Sequence, residues 1–408
     1  TLDYVDGRLI DHGKRVAYLV FKVLESRREF DRKELRDICI LAMLHDIGAY
    51  KTEEIDKMVV FETTDVWNHS IYGYLFLHYF SPIKELAEVI LFHHAECDEL
   101  GYLDNPEHQV LSQLISLCDR ADVFILHKGS AGDFRNYIEK NRDKKFRGDI
   151  IDMFLESGIN IDNILDGIDS DEAFRQLLYD TPMTDEAVNQ YMKMIVLMID
   201  FRSRYTVIHT IVTTCVAKFL ARLLGVGENE IEEIKTGSML HDIGKIGISV
   251  NILEKPGRLS DDEMEIMRTH VDITNKIIKG SVNDSIRLIA VRHHEKLDGT
   301  GYPKQLNGDN IDSFERIVAV ADILSALYGK RSYKEAFPKE KIFATMNGMS
   351  ENNLLDPEIV KLVTEHFDEI IQEINREAKP IEQVYNDMNE EYISKSEEIK
   401  SKYKKHMF

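Results

Sequence analysis

Apolar residues recur at helical spacing along nearly the whole chain. Val16, Leu19, Val20, Val23 and Leu24 form one stripe, and Ile211, Val212, Val216, Phe219, Leu220 and Leu223 form another. Positions three and four apart share one face of a helix, so each stripe reads as an amphipathic helix with a buried side. The same spacing predicts helices over residues 111–126, 203–224, 231–240 and 314–328, and Ser260 with Glu263 marks a helix start of capping-box type. Strand-type alternation is sparse. The expected fold class is all-α.

A second pattern lies over the first. His12, His45-Asp46, His69, His93-His94 and Asp119 recur in the same order as His209, His241-Asp242, His270, His293-His294 and Asp322, at offsets between 196 and 203 residues. Beyond the last Asp, the run from Phe146 to Glu156 resembles the run from Leu355 to Glu365 in pattern. The repeat therefore covers whole domains. We place the first domain at residues 1–158, a connector with at least one helix at 159–190, and the second domain at 191–370. The tail, 371–408, reads as a solvated charged helix after a break at Pro380, with Val384, Met388 and Tyr392 near every fourth position. That helix is a candidate contact for a homodimer or another partner.

Composition narrows the setting. The 408 residues, 43% hydrophobic and 30% charged, leave room for two buried cores. There is no apolar run of about 18 residues of the kind that spans a membrane, and no secretory signal pattern. Cys39, Cys97, Cys118 and Cys215 lack CxxC spacing and read as buried reduced thiols, which points to a cytoplasmic protein. A net charge of −21 opposes binding to nucleic-acid polymers and anionic membranes. A small anionic ligand stays open where local cations reverse the field.

The repeated stations supply those cations. Imidazole suits borderline metals and a carboxylate can bridge a pair of them. His241-Asp242 closes a helix, Gly244 permits a tight turn, and Lys245 can face the same cavity. Asp322 ends the run 318–322 (Val-Ala-Val-Ala-Asp), where an unpaired carboxylate is costly to bury and a metal resolves the cost. After His293-His294 comes a loop with Asp298, Gly301, Tyr302 and Pro303, a turn chemistry that lines pockets. Singly, His209 and His270 are ordinary helix histidines, and Lys245, Arg331 and Lys334 ordinary solvated charges. Their joint order carries the metal reading.

These residues resemble the HD-GYP phosphodiesterases of the HD superfamily of metal-dependent phosphohydrolases. The matching text is 241–245 (His-Asp-Ile-Gly-Lys), 293–303 (His-His-Glu-Lys-Leu-Asp-Gly-Thr-Gly-Tyr-Pro), 316–322, and Arg331-Ser-Tyr-Lys334. The resemblance implies two tandem HD-type helical bundles and hydrolysis of a cyclic dinucleotide, most often cyclic di-GMP, at a two- or three-metal centre of iron or manganese. Two such cations can hold a bridging hydroxide and clamp a phosphodiester. By resemblance, Asp242 bridges, His209, His241 and Asp322 gather at one metal, and His270, His293 and His294 at the other. Lys245 steadies a phosphate oxygen, Arg331 and Lys334 hold the second phosphate, and Tyr302 lies beside a guanine. Three-metal relatives carry a Glu where this chain has Tyr205, which favours two metals. Ser332 replaces the familiar Pro.

The first copy keeps the ligand types of a second metal centre, but Ala49 stands in place of Lys245, Arg8 in place of the extra Glu, and Ala95, Glu99 and Leu103 alter the loop around Asp98, Gly101 and Tyr102. Loss of the phosphate-steadying cation lowers turnover more than metal binding. The first domain is therefore expected to bind metal in a regulatory role. The rival readings are a phosphodiesterase for cyclic GMP-AMP or another nucleotide, and a cyclic-dinucleotide or oxygen sensor that does not hydrolyse.

Overall fold

The computed structural model describes residues 11–49, 67–127, 129–159, 161, 168, 171–202, 208–329 and 337–402. Among them there are helices and three isolated bridges but no strand, so the fold is all-α. The chain divides into two compact units, one of Asp6–Met194 with Met388–Phe408 and one of Ile195–Asp387 with Thr1–Val5.

In the N-terminal unit the helices are α1 (His12–Glu25), α2 (Arg32–Met43), α3 (Trp67–Phe80), α4 (Ala87–Leu91), α5 (Pro106–Leu126), α6 (Ala131–Lys140), α7 (Gly148–Glu156) and α8 (Glu172–Asp180), followed by α9 (Asp185–Asp200). The second unit continues with α10 (His209–Leu223), α11 (Glu228–Leu240), α12 (Val250–Leu253), α13 (Asp261–Ile278), α14 (Asp284–Val291), α15 (Ser313–Tyr328), α16 (Lys339–Glu351), α17 (Pro357–Glu365) and the first part of α18 (Phe367–Lys402), whose residues from Met388 on belong to the N-terminal unit. The repeat read from the sequence is visible here: α1, α2, α3, α4 and α5 answer α10, α11, α13, α14 and α15, each pair carrying or ending at the same ligand station.

Each unit is held by the stripes that predicted it. Val16, Leu19, Val20 and Val23 of α1 are buried, as are Leu111, Leu114 and Ile115 of α5. In the second unit Val212, Val216 and Leu220 of α10 share a core with Ile231 and Ile234 of α11, Ile317, Val318, Val320 and Leu324 of α15, and Ile359, Val363, Ile370 and Ile374 beyond. A fully buried side chain of this size contributes about 1.5–3 kcal/mol relative to exposure. Capping boxes at Asp31/Glu34, Ser260/Glu263 and Asp312/Glu315 fix the starts of α2, α13 and α15.

Two expectations need correction. His209 does not lie inside its helix but opens it, after Ile208; residues 203–207 fall outside the described ones. Pro380 does not break the tail helix, because α18 runs through it. A proline inside a helix costs about 3 kcal/mol, and buried Ile370, Ile374, Ala378 and Ile381 on one side, with Met388 and Ile399 beyond, offset that cost. Nor is the far end of α18 wholly solvated. Within the N-terminal unit Tyr392 stacks on Tyr72 at 4.4 Å and donates to Asn68 Oδ1 at 2.8 Å, while Tyr79 donates to Glu391 at 2.9 Å. All four cysteines are free; Cys39, Cys118 and Cys215 are buried, whereas Cys97 is half-buried. No helix among the described residues is long and apolar enough to cross a membrane.

Candidate metal centres

Helix α11 ends at Leu240 and delivers His241 and Asp242 into the 3₁₀ turn Ile243–Gly247. That turn lies so close to α13 that a Cβ on Gly244 would stand 1.9 Å from the carbonyl oxygen of His270; Gly48 meets His69 in the same way, also at 1.9 Å. Only glycine allows this approach, and it brings the His-Asp pair against the helix carrying the next ligand. His293 and His294 follow the end of α14, His209 opens α10, and Asp322 projects from the middle of α15.

The seven candidate ligands of the second unit converge. Asp242 Oδ2 lies 3.2 Å from His241 Nε2 and 3.4 Å from His209 Nε2, while Oδ1 lies 3.5 Å from His270 Nε2. Asp322 Oδ1 is 3.1 Å from His209 Nε2 and 3.8 Å from His241 Nε2. His209, His241 and Asp322 form one group able to hold a cation, and His270, His293 and His294 another. One carboxylate thus faces two ligand groups, a bridging geometry.

Three observations fit a metal in each group. Nδ1–H of His241, His270 and His293 donates to the carbonyls of Ser238, Met267 and Ala290 at 2.7, 2.6 and 2.7 Å, which fixes the tautomer and turns the Nε2 lone pair into the site. Those Nε2 atoms and Asp242 Oδ1 are buried without a hydrogen-bond partner, a cost that a cation removes. The protonation states agree. Burial pushes His270 down, His293 well down and His294 to about 3, so these rings are neutral ligands. Burial would raise Asp242 and Asp322, yet His241 and Lys245 around the first, and His209 beside the second, hold both well below the usual carboxylate range. His209 is the exception: against burial, Asp242 and Asp322 raise it to about 9. The carboxylates that hold a proton there also hold a cation.

Around this centre, the Lys245 amine pairs with Asp242 Oδ2. Tyr302 packs against His294, ring centroids 4.7 Å apart, and the guanidinium of the exposed Arg268 of α13 lies 5.2 Å from the centroid of its ring. Gly301 is required sterically, since a Cβ would come within 2.5 Å of Glu295 Cα and Lys296 N; Pro303 follows a cis peptide bond. Asp298, expected at the substrate, accepts from Thr300 N and Oγ1 at 2.9 and 2.7 Å on the exposed side of the loop. The residue the sequence reading passed over is Glu295. It is buried and accepts from the backbone of Lys304 at 2.6 Å and Leu306 at 2.9 Å, closing the loop on itself. Its place directly after the His pair was the available signal. Arg331 and Lys334 lie outside the described residues.

The N-terminal unit repeats the centre with a different surround. His12, His45 and Asp46 form one group; Asp46, His69, His93 and His94 form another. Nδ1–H of His45 and His93 donates to Ala42 and Ile90 at 2.8 and 2.6 Å, and Nε2 of His12, His45 and His93 is buried without a hydrogen-bond partner. His69 and His94 point Nε2 at each other across 3.0 Å. Asp119 Oδ1 stands 3.5 Å from His12 Nε2, but its Oδ2 is bound by the buried Arg120 at 2.6 Å. His12 Nδ1 donates to Asp122 at 2.7 Å, where the second unit has Ser325 and His209, and Arg15 also grips Asp122. The loop parts company as well. Ala95 replaces Glu295, a Cβ on Gly101 would meet nothing within 4 Å, and Tyr102 is 48% exposed beneath the Lys402 amine rather than against His94.

Comparison with known proteins places both halves. Models of the HD domain match residues 9–123 and 189–359. The 3'3'-cGAMP-specific phosphodiesterase 2 of Vibrio cholerae is 36% identical over 217 residues, 52% of this chain and 39% of that protein. The 3'3'-cGAMP-specific phosphodiesterase 1 of the same organism is 25% identical over 392 residues, 91% and 90% of the two chains. The cyclic di-GMP phosphodiesterase response regulator RpfG of Xanthomonas campestris is 43% identical over 148 residues, 36% of this chain and 39% of that one. The first and third of these alignments thus span well under half of the relative. A crystal structure of a cyclic GMP-AMP phosphodiesterase of V. cholerae shares the fold, with a TM-score of 0.55 at 20% identity over 90% of this chain and 95% of that one. This chain belongs to the HD-domain family, as a tandem pair of the HD-GYP type.

Proposed function

We propose that the second unit hydrolyses a phosphodiester of a cyclic dinucleotide, cyclic di-GMP foremost, at a centre of two metals, iron or manganese. The observation that carries this reading is the Asp242 carboxylate, whose oxygens face two histidine groups with unpartnered Nε2 atoms while the Lys245 amine lies on it. His209, His241 and Asp322 would hold one metal and His270, His293 and His294 the other, with Asp242 shared between the two groups. When bound, such a pair supplies Lewis acidity at the phosphoryl oxygens and lowers the pKa of the attacking water. The protein's own groups do the rest. Lys245 moves from Asp242 to a non-bridging phosphate oxygen and stabilises the charge that grows there. Arg331 and Lys334 hold the second phosphate. Gly301, Tyr302 and Pro303 shape the base side, with the loop closed by Asp298 and Glu295. Water attacks phosphorus, the P–O bond to the leaving ribose oxygen breaks, and the ring opens to a linear dinucleotide with no covalent enzyme intermediate.

The end-to-end alignment with the cGAMP-specific phosphodiesterase 1 favours a second reading, 3'3'-cGAMP as substrate. In the first unit, His12, His45, Asp46, His69, His93, His94 and Asp119 hold a further metal centre that is regulatory, because Ala49 offers no cation where Lys245 does. The test is chromatography of products from iron- or manganese-loaded protein incubated with a panel of cyclic dinucleotides. Turnover is expected for wild type and none for Asp242→Ala with unchanged helicity. Retained turnover in that variant overturns the site.

A further inference from the structure

Arg268 stands two residues before His270 on α13, and His270 belongs to the same candidate group as His294. Its side chain is exposed, and among the described residues no carboxylate pairs with it. Arg268 is also not isolated, for its guanidinium lies 5.2 Å from the centroid of the Tyr302 ring, and Tyr302 in turn lies 4.7 Å from the His294 imidazole. A planar donor fork and an aromatic face are thus held next to each other, one step from the reacting centre.

That combination matches a nucleobase better than a phosphate. A phosphate needs charge and donors, which Lys245 and the metals already bring. A base offers a π-face for stacking and an edge of fixed acceptors, and arginine pairs bidentately with O6 and N7 of guanine, whereas adenine presents a donor at the corresponding place. The first unit lacks the pair. Trp67 occupies the position of Arg268 and is buried near Phe92, and Tyr102 is exposed elsewhere. Resting on the proposed phosphodiesterase activity, we infer that Arg268 reads the O6 and N7 edge of one guanine of the cyclic dinucleotide, with Tyr302 as the stacking surface, and so sets the base preference of the second unit.

The test compares kcat/KM of the metal-loaded full chain for cyclic di-GMP, cyclic di-AMP and bis(p-nitrophenyl) phosphate, which has a phosphodiester but no base. Arg268→Met should lower kcat/KM for cyclic di-GMP by about tenfold or more, mainly through KM, and leave the other two within about twofold. Arg268→Gln should move the preference toward cyclic di-AMP, since glutamine suits the N6 and N7 edge of adenine. Equal losses on both cyclic dinucleotides would mean a phosphate contact and overturn the inference, as would no loss at all. If wild type cleaves bis(p-nitrophenyl) phosphate but neither cyclic dinucleotide, the proposed substrate fails instead. The base assignment is then decided by calorimetric Kd values, whose preference for cyclic di-GMP Arg268→Met must abolish.

Discussion

A single position shows how the two copies came to differ. Glu295 follows the His293-His294 pair and receives two backbone N–H groups of the loop, whereas Ala95 follows His93-His94 and receives none. Hydrogen bonds to an ionised acceptor contribute about 1.5–3 kcal/mol each. Removing the acceptor leaves two donors without their partner and frees the loop that seats Tyr302 on His294. Glu295→Ala should therefore raise KM for the cyclic dinucleotide about tenfold or more, while hydrolysis of bis(p-nitrophenyl) phosphate stays near wild type, since the metal ligands are untouched. Glu295→Gln keeps one acceptor and should fall between. Equal damage to both substrates would show that Glu295 supports the ligands rather than the loop.

At the scale of elements, helix α15 must place Asp322, and its start is fixed by Asp312 and Glu315. Glu315 is buried and accepts from Arg292 Nη1 at 3.0 and 3.2 Å; burial raises its pKa above the usual value even against that cation. A carboxyl raised in the folded state lends stability that is complete below the unfolded pKa, about 4.3 for glutamate, and is lost as pH rises through the raised folded value. Glu315→Gln keeps an acceptor for Arg292 and removes the titration. The stability of the variant relative to wild type should hence increase with pH across that window, as read by denaturant unfolding at a series of pH values; a flat difference would reject the assignment. In α18, Pro380 is exposed and loses no packing when shortened, so Pro380→Ala should stabilise the chain by about 1–3 kcal/mol in the same measurement. The stripes, the caps and the ligand stations were legible because each depends on spacing along one helix. The uninterrupted α18 was not, for its cost is local and its compensation comes from partners distant in sequence. Glu295 and Arg120 were missed for a related reason: which hydrogen bond a carboxylate or guanidinium makes depends on which donor or acceptor the fold brings near.

On the scale of the whole molecule, the question is what a duplicated ligand set does when only one copy keeps its surround. Both units bury imidazole Nε2 atoms without partners around a shared aspartate, Asp46 in one and Asp242 in the other. Such atoms are costly unless a cation fills the site, which argues for metal in both. Turnover needs more. The second unit adds Lys245 beside its aspartate and an ordered loop, while the first has Ala49, a displaced Tyr102, and Arg120 bound to the Asp119 oxygen that Asp322 leaves available near His294. A guanidinium there neutralises a ligand instead of a substrate. The His45→Ala, Asp46→Ala double variant should therefore lose about half of the metal per chain, because each unit folds its own site, and keep most of its cyclic-dinucleotide turnover. Asp242→Ala should lose a comparable share of metal and all turnover. Mass-spectrometric metal counting on both variants, alongside the product assay, separates the alternatives. An unchanged count in the double variant would remove the metal from the first unit. Collapse of turnover in that variant, with the second unit's metal retained, would show instead that the first centre is needed for chemistry, and the division of labour drawn from Lys245 and Ala49 would fail.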